Sequence, residues 1–104
     1  MSFVTEGKRI ASGRTEPGNT AWKKYGTGIV VIVDTSSGRF SGTPVYITSI
    51  GGKTKHWTTT GASSIYKATS TSFKIYIRKV NNAEITLDQA NQYEWHINWI
   101  GMEV

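Results

Sequence analysis

The segment Tyr93-Glu94-Trp95-His96-Ile97-Asn98-Trp99-Ile100-Gly101 limits what this chain can fold into more than any other. Successive side chains of an extended segment point to opposite sides. Tyr93, Trp95, Ile97 and Trp99 therefore share one side, and Glu94, His96 and Asn98 the other. A buried aromatic ring removes roughly 150–250 Å² from water, so a side this rich in rings predicts the central strand of a core. The opposite side is polar and serves water, a neighbouring subunit or a ligand.

The remaining segments read as further strands. Residues 1–28 are rich in turns, with Ile10–Thr15 a short strand leading into the turn Glu16-Pro17-Gly18-Asn19. Trp22 and Tyr25 are expected to pack at one end of the sheet. Ile29-Val30-Val31-Ile32-Val33 has no alternation, which predicts a strand covered on both faces, by a second sheet or by another subunit. Asp34–Gly38 is a loop, and Phe40–Ile50 a strand whose start Pro44 places near an edge. Ser64–Thr69 and Phe73–Val80 read as two more strands. In the second, Phe73, Ile75 and Ile77 point inward and Lys74, Tyr76 and Arg78 outward. Thr86 is positioned to cap a single helical turn before the final strand. The expected architecture is one domain over residues 1–104, all-β, a six-stranded antiparallel sandwich whose exposed edges favour self-association.

Composition narrows the function. The 104 residues include no cysteine, which removes disulfides, thiolate metal sites and thiol nucleophiles. His56 and His96 are the only histidines and lack zinc-ligand spacing, so no metal or cofactor is expected. No G-x-S-x-G, phosphate-loop or dinucleotide motif occurs, and Asp34, Glu84, Asp88 and Glu94 stand in no catalytic pattern, so no enzyme is expected. No apolar run approaches the roughly 20 residues of a membrane span, so membrane insertion is not expected. The N-terminus has no signal-peptide apolar region, which implies a cytoplasmic chain or one exported by another route. Twelve Lys and Arg against seven Asp and Glu give a net charge of +5. These basic residues are scattered, which disfavours nucleic acid as partner and leaves a single-strand-binding small barrel as the weakest reading.

What is left is non-covalent recognition by aromatic and polar side chains. A sugar offers a C–H face to an aromatic ring and hydroxyls to fixed donors and acceptors. His56-Trp57, between Gly51-Gly52 and a threonine-rich stretch, is the best local candidate; the alternative is a core Trp57 beside a structural His56. His96 is expected to pair with a neighbouring strand or subunit. Arg78 and Tyr76 read as solvated surface. Asp88 and Asn91 are turn residues or ligand contacts.

The order of features adds a resemblance. Ser12-Gly13 precedes Trp22; Phe40 precedes the strand Pro44-Val45-Tyr46-Ile47-Thr48-Ser49-Ile50; Thr69 or Thr71 precedes Phe73; and the chain closes Tyr93…Ile97-Asn98-Trp99-Ile100. This resembles the H-type lectin domain of snail agglutinins and of the C-terminal part of discoidins, over most of residues 10–103. The resemblance implies a six-stranded sandwich assembled as a trimer or a dimer of trimers. It also implies metal-independent sites for galactose- or GalNAc-type glycans at subunit boundaries. The family's sugar-binding arginine falls near Thr60, and its Trp-His pair near Leu87-Asp88, so neither is kept here. His56, Trp57, Thr60, Asp88 and Asn91 are accordingly the expected site residues. A trimeric docking module such as a fibre tip is the rival reading.

Overall fold

The computed structural model describes residues 2–5 and 7–104, with side chains from residue 7 onward. Eight strands are described: β1 (Ser2–Thr5), β2 (Lys8–Arg14), β3 (Lys23–Tyr25), β4 (Gly28–Asp34), β5 (Val45–Gly51), β6 (Thr59–Thr60), β7 (Ser72–Lys79) and β8 (His96–Met102). A short helix, α1 (Leu87–Gln92), and two 3-10 turns, Ser36–Gly38 and His56–Thr58, complete the elements. The strands form two antiparallel sheets, ordered β1-β2-β8-β5 and β3-β4-β7-β6. The all-β expectation holds; eight strands are described rather than six, because β1, β3 and β6 are short pairings at sheet edges that were not expected, while the expected strand over Ser64–Thr69 does not form.

Alternation builds the core. Phe73, Ile75 and Ile77 of β7 are buried, as are Ile29, Val31 and Val33 of β4 across the register Ile29↔Ile77, Val31↔Ile75 and Val33↔Phe73. From the other sheet come Tyr46, Trp99, Ile97 and Ala11, and the Tyr46 and Phe73 ring centroids meet across the gap at 4.7 Å. Burying the Tyr46 phenol raises its pKa, and its hydroxyl is satisfied by Thr35 and by the Thr69 carbonyl, each at 2.7 Å.

The closing segment behaves as expected from Trp95 onward: Trp95, Ile97 and Trp99 are buried. Tyr93 and Glu94, however, belong to the end of α1. The Glu94 N–H donates to the Asn91 carbonyl (3.1 Å) and the Trp95 N–H to the Ala90 carbonyl (2.9 Å), with Glu94 left-handed at φ 56°. That is the Schellman arrangement that closes a helix, and it delays the strand to His96. Thr86 caps the other end by accepting from Gln89 N–H at 3.1 Å.

Three other expectations change. Ser64–Thr69 is a loop that touches β7 through one bridge, Tyr66↔Lys74, because Lys67 at φ 51° and the Thr69–Ser72 turn break the extended run. The strand expected over Phe40–Ile50 begins at Val45, and Phe40 instead packs on Tyr46 ahead of it. The apolar run of β4 is covered by its own chain on one face only, since Ile32 is 63% exposed, so no second sheet lies over its outer face.

Candidate functional site

The loop after β5 is built to hold one indole in water. Buried Trp95 donates its indole N–H to the Thr54 carbonyl at 2.9 Å, and Lys53 N–H donates to the Tyr93 carbonyl at 2.7 Å. Lys55, left-handed at φ 64°, lays its ammonium 5.6 Å from the Tyr93 ring centre and turns the chain into the His56–Thr58 turn. Thr58 N–H and Oγ–H both donate to the Lys55 carbonyl, at 3.1 and 2.6 Å, and Val80 N–H to the Thr58 carbonyl at 2.9 Å. The loop is thus tied to the core at one end and to the end of β7 at the other. Trp57, on its crest, is 84% exposed, which overturns the core alternative for this residue.

Beside the indole runs an open groove of about 590 Å3, bordered by Lys55, Trp57, Thr58, Lys79, Val80 and Asn81. His56 does not border it. Its ring is half-buried, with Nδ1 unpartnered and 3.1 Å from where a side chain on Gly52 would begin. The groove therefore offers one aromatic face, two ammonium groups and an amide: means of holding a ring-shaped polar ligand, and no nucleophile with a base.

Thr60 lies elsewhere. It pairs with Arg78 across β6 and β7, and both border a second groove of about 690 Å3 on the outer face of the β3-β4-β7-β6 sheet. There Tyr76 stands between Tyr25 and Tyr66, with ring centroids 4.9 and 5.2 Å away and both pairs edge to face. Asp88 and Asn91, on α1, border neither groove, and Asn91 Oδ1 is buried without a partner. The five expected site residues are not brought into one place. No group of three or more His, Asp and Glu side chains among the described residues is placed to hold a metal ion. His96 is buried in β8 opposite Gly51, and its Nδ1–H donates to the Glu94 carbonyl at 2.7 Å.

No family model matches the chain. No curated protein and no solved structure matches it either. The site is therefore argued from its geometry.

Sequence reasoning missed the tyrosine groove. Tyr76 is outward by alternation, but Tyr25 was expected to pack against the sheet end and is 63% exposed. The three rings come from β3, the 61–71 loop and β7, and nothing local in the sequence signals that these converge. The one available cue was that Lys23, Tyr25, Lys74, Tyr76 and Arg78 all fall at outward or loop positions.

Proposed function

We propose that the protein is a multivalent, metal-independent lectin that binds galactose- or GalNAc-type glycans without altering them. One observation carries this reading: the indole of Trp57 stands in water on a turn fixed by hydrogen bonds at both ends. An exposed indole of this kind covers the C–H face of a sugar ring. Lys79 and the amide of Asn81 supply donors at the groove's far side for hydroxyls; Asn81 keeps its Oδ1 on Ala83 N–H at 3.0 Å, which orients its NH2. His56 serves as a positioning residue, wedged beneath the turn against Gly52.

The trimer expected from the resemblance to H-type lectins draws support from the outer face of the β1-β2-β8-β5 sheet. Ile10, Met102 and Val45 lie in register there, with Ile100 and Ile47 in an adjacent row. Ile47 is 55% exposed, and an apolar stripe of this width favours a subunit on top of it. Multivalency then strengthens weak single sites by raising the effective concentration of the second contact. The same stripe supports the docking-module reading, which needs subunits and no sugar.

A glycan array separates the two. Signal from the native protein that disappears in Trp57→Ala, while the circular dichroism and melting curve stay unchanged, is the expected outcome. An array silent for the native protein at every concentration removes the lectin reading and leaves the docking module.

A further inference from the structure

We propose a second ligand site, separate from the Trp57 groove, on the outer face of the β3-β4-β7-β6 sheet, where Arg78 and three tyrosines receive an anionic saccharide such as a sulfated sugar. The concavity is made by small residues. Gly61 sits at φ 109°, and a Cβ there would strike the Tyr76 carbonyl, so the chain passes close over β7 before turning out to Tyr66. On the opposite rim Gly26, at φ 59°, turns the chain between β3 and β4 and places Tyr25 against Tyr76. The result is a groove of about 690 Å3 with ring surface on its walls and hydroxyls of Thr60 and Ser64 on its rim.

Charge selects the ligand. The register puts Lys74 beside Ile32 and Tyr66, Arg78 beside Thr60, and Lys23 across Val30 from Tyr76, so three cations share one sheet face with the rings and Arg78 borders the groove itself. Asp34, the acid on that face, lies at the far end opposite Ser72 and is held by Ser36 N–H at 2.9 Å. Among the described residues Arg78 has no carboxylate within ion-pair distance; the one ion pair is Lys24–Glu84. Its guanidinium donates only to the neighbouring Lys79 carbonyl, at 3.3 Å. A planar fork with no acidic partner, in a groove lined by tyrosines, fits a sulfate or carboxylate taken bidentately while the sugar ring rests on tyrosine. A single strand of nucleic acid fits less well. Stacked bases need successive rings set along a track, whereas these three meet edge to face in one cluster.

The test titrates the whole chain at low salt with a sulfated hexasaccharide, its desulfated counterpart and a poly-thymidine strand of matched charge. The sulfated sugar is expected to bind roughly tenfold or more tightly over the desulfated one, the scale of a charge-assisted hydrogen bond. Arg78→Gln should erase that margin, Arg78→Lys should keep part of it, and Tyr66→Ser should weaken the sulfated sugar. Arg78 and Tyr66 are exposed, so the variants are expected to melt as the native protein does. Trp57→Ala should leave the affinity for the sulfated sugar intact, which separates this site from the neutral-sugar groove. Equal binding of the two sugars, an Arg78→Gln protein that keeps the margin, or thymidine binding as tightly as the sulfated sugar would each overturn the assignment.

Discussion

At the scale of single residues, backbone and burial decide more than side-chain type. Gly61 combines a positive φ with a Cβ position that collides with the Tyr76 carbonyl. Gly61→Ala is therefore expected to cost about 1–3 kcal/mol, read as a shift in the urea midpoint, and to disturb the tyrosine groove before it disturbs the Trp57 groove. Trp57 itself is so exposed that Trp57→Ala should change stability by no more than about 0.5 kcal/mol. The loss of glycan binding in that variant would then report on recognition alone. Glu103 shows the reverse, a surface group with structural use. Its carboxylate accepts Ser41 N–H at 2.7 Å and Arg9 N–H at 2.8 Å, and these bonds hold its pKa below the ordinary value. A depressed folded-state pKa gives stability that is present above the unfolded value of about 4.3 and lost as pH falls through the folded one. Glu103→Gln should thus flatten the acid limb of the melting-temperature curve; an unchanged limb would show that the bonds carry no such weight.

At the scale of elements, α1 and the loop after β5 are coupled through Trp95. The helix is only six residues long, too short to persist by itself, and depends on its ends and its packing. Thr86→Ala removes the N-terminal cap and is expected to cost about 1 kcal/mol in denaturant melts. Glu94 occupies the left-handed position that closes the helix, where glycine is free of the side-chain penalty. Glu94→Gly should accordingly raise stability by about 0.5 kcal/mol, the left-handed penalty less the extra freedom glycine gives the unfolded chain; a drop would mean that the Glu94 side chain makes a contribution larger than the backbone strain it brings. Trp95 is where these elements meet. It is fully buried, its indole N–H holds Thr54, and its carbonyl accepts the Trp22 indole N–H at 3.0 Å. Trp95→Ala is expected to cost about 3–5 kcal/mol and to loosen the Trp57 turn, visible as faster amide exchange over residues 53–58.

At the scale of the whole molecule, both sheets bury one face and leave apolar side chains on the other. On one outer face these are Val45 and Ile47 with Ile100 and Met102; on the other, Ile32 with the tyrosines. If copies of the chain meet on the first of these faces, Ile47→Lys should shift the mass measured by light scattering from a multimer to a single subunit while leaving its fold intact. A native protein that scatters as a monomer at every concentration would end the multivalent reading. Much of this architecture was legible beforehand. The period-two patterns of Phe73–Arg78 and Trp95–Trp99 specify which side chains go inward, because a half-buried strand has no other way to satisfy both faces. The unbroken run at Ile29–Val33 specified the strand but not what covers its second face, since β-branched residues favour a strand whether that face is covered by the same chain or left for another.

Local chemistry in the sequence determined that this chain is all-β, that Trp95, Ile97 and Trp99 close its core, and that Thr86 starts a helical turn. Those features depend on alternation and capping, which act between residues near each other in the chain. Only the tertiary structure decided that Trp57 stands in water, that Glu94 ends a helix and does not extend a strand, and that Tyr25, Tyr66, Tyr76 and Arg78 share one groove. Exposure and convergence are set by which strands pair and how loops fold back over them, and pairing joins residues that are some fifty positions apart, as in Val30↔Tyr76.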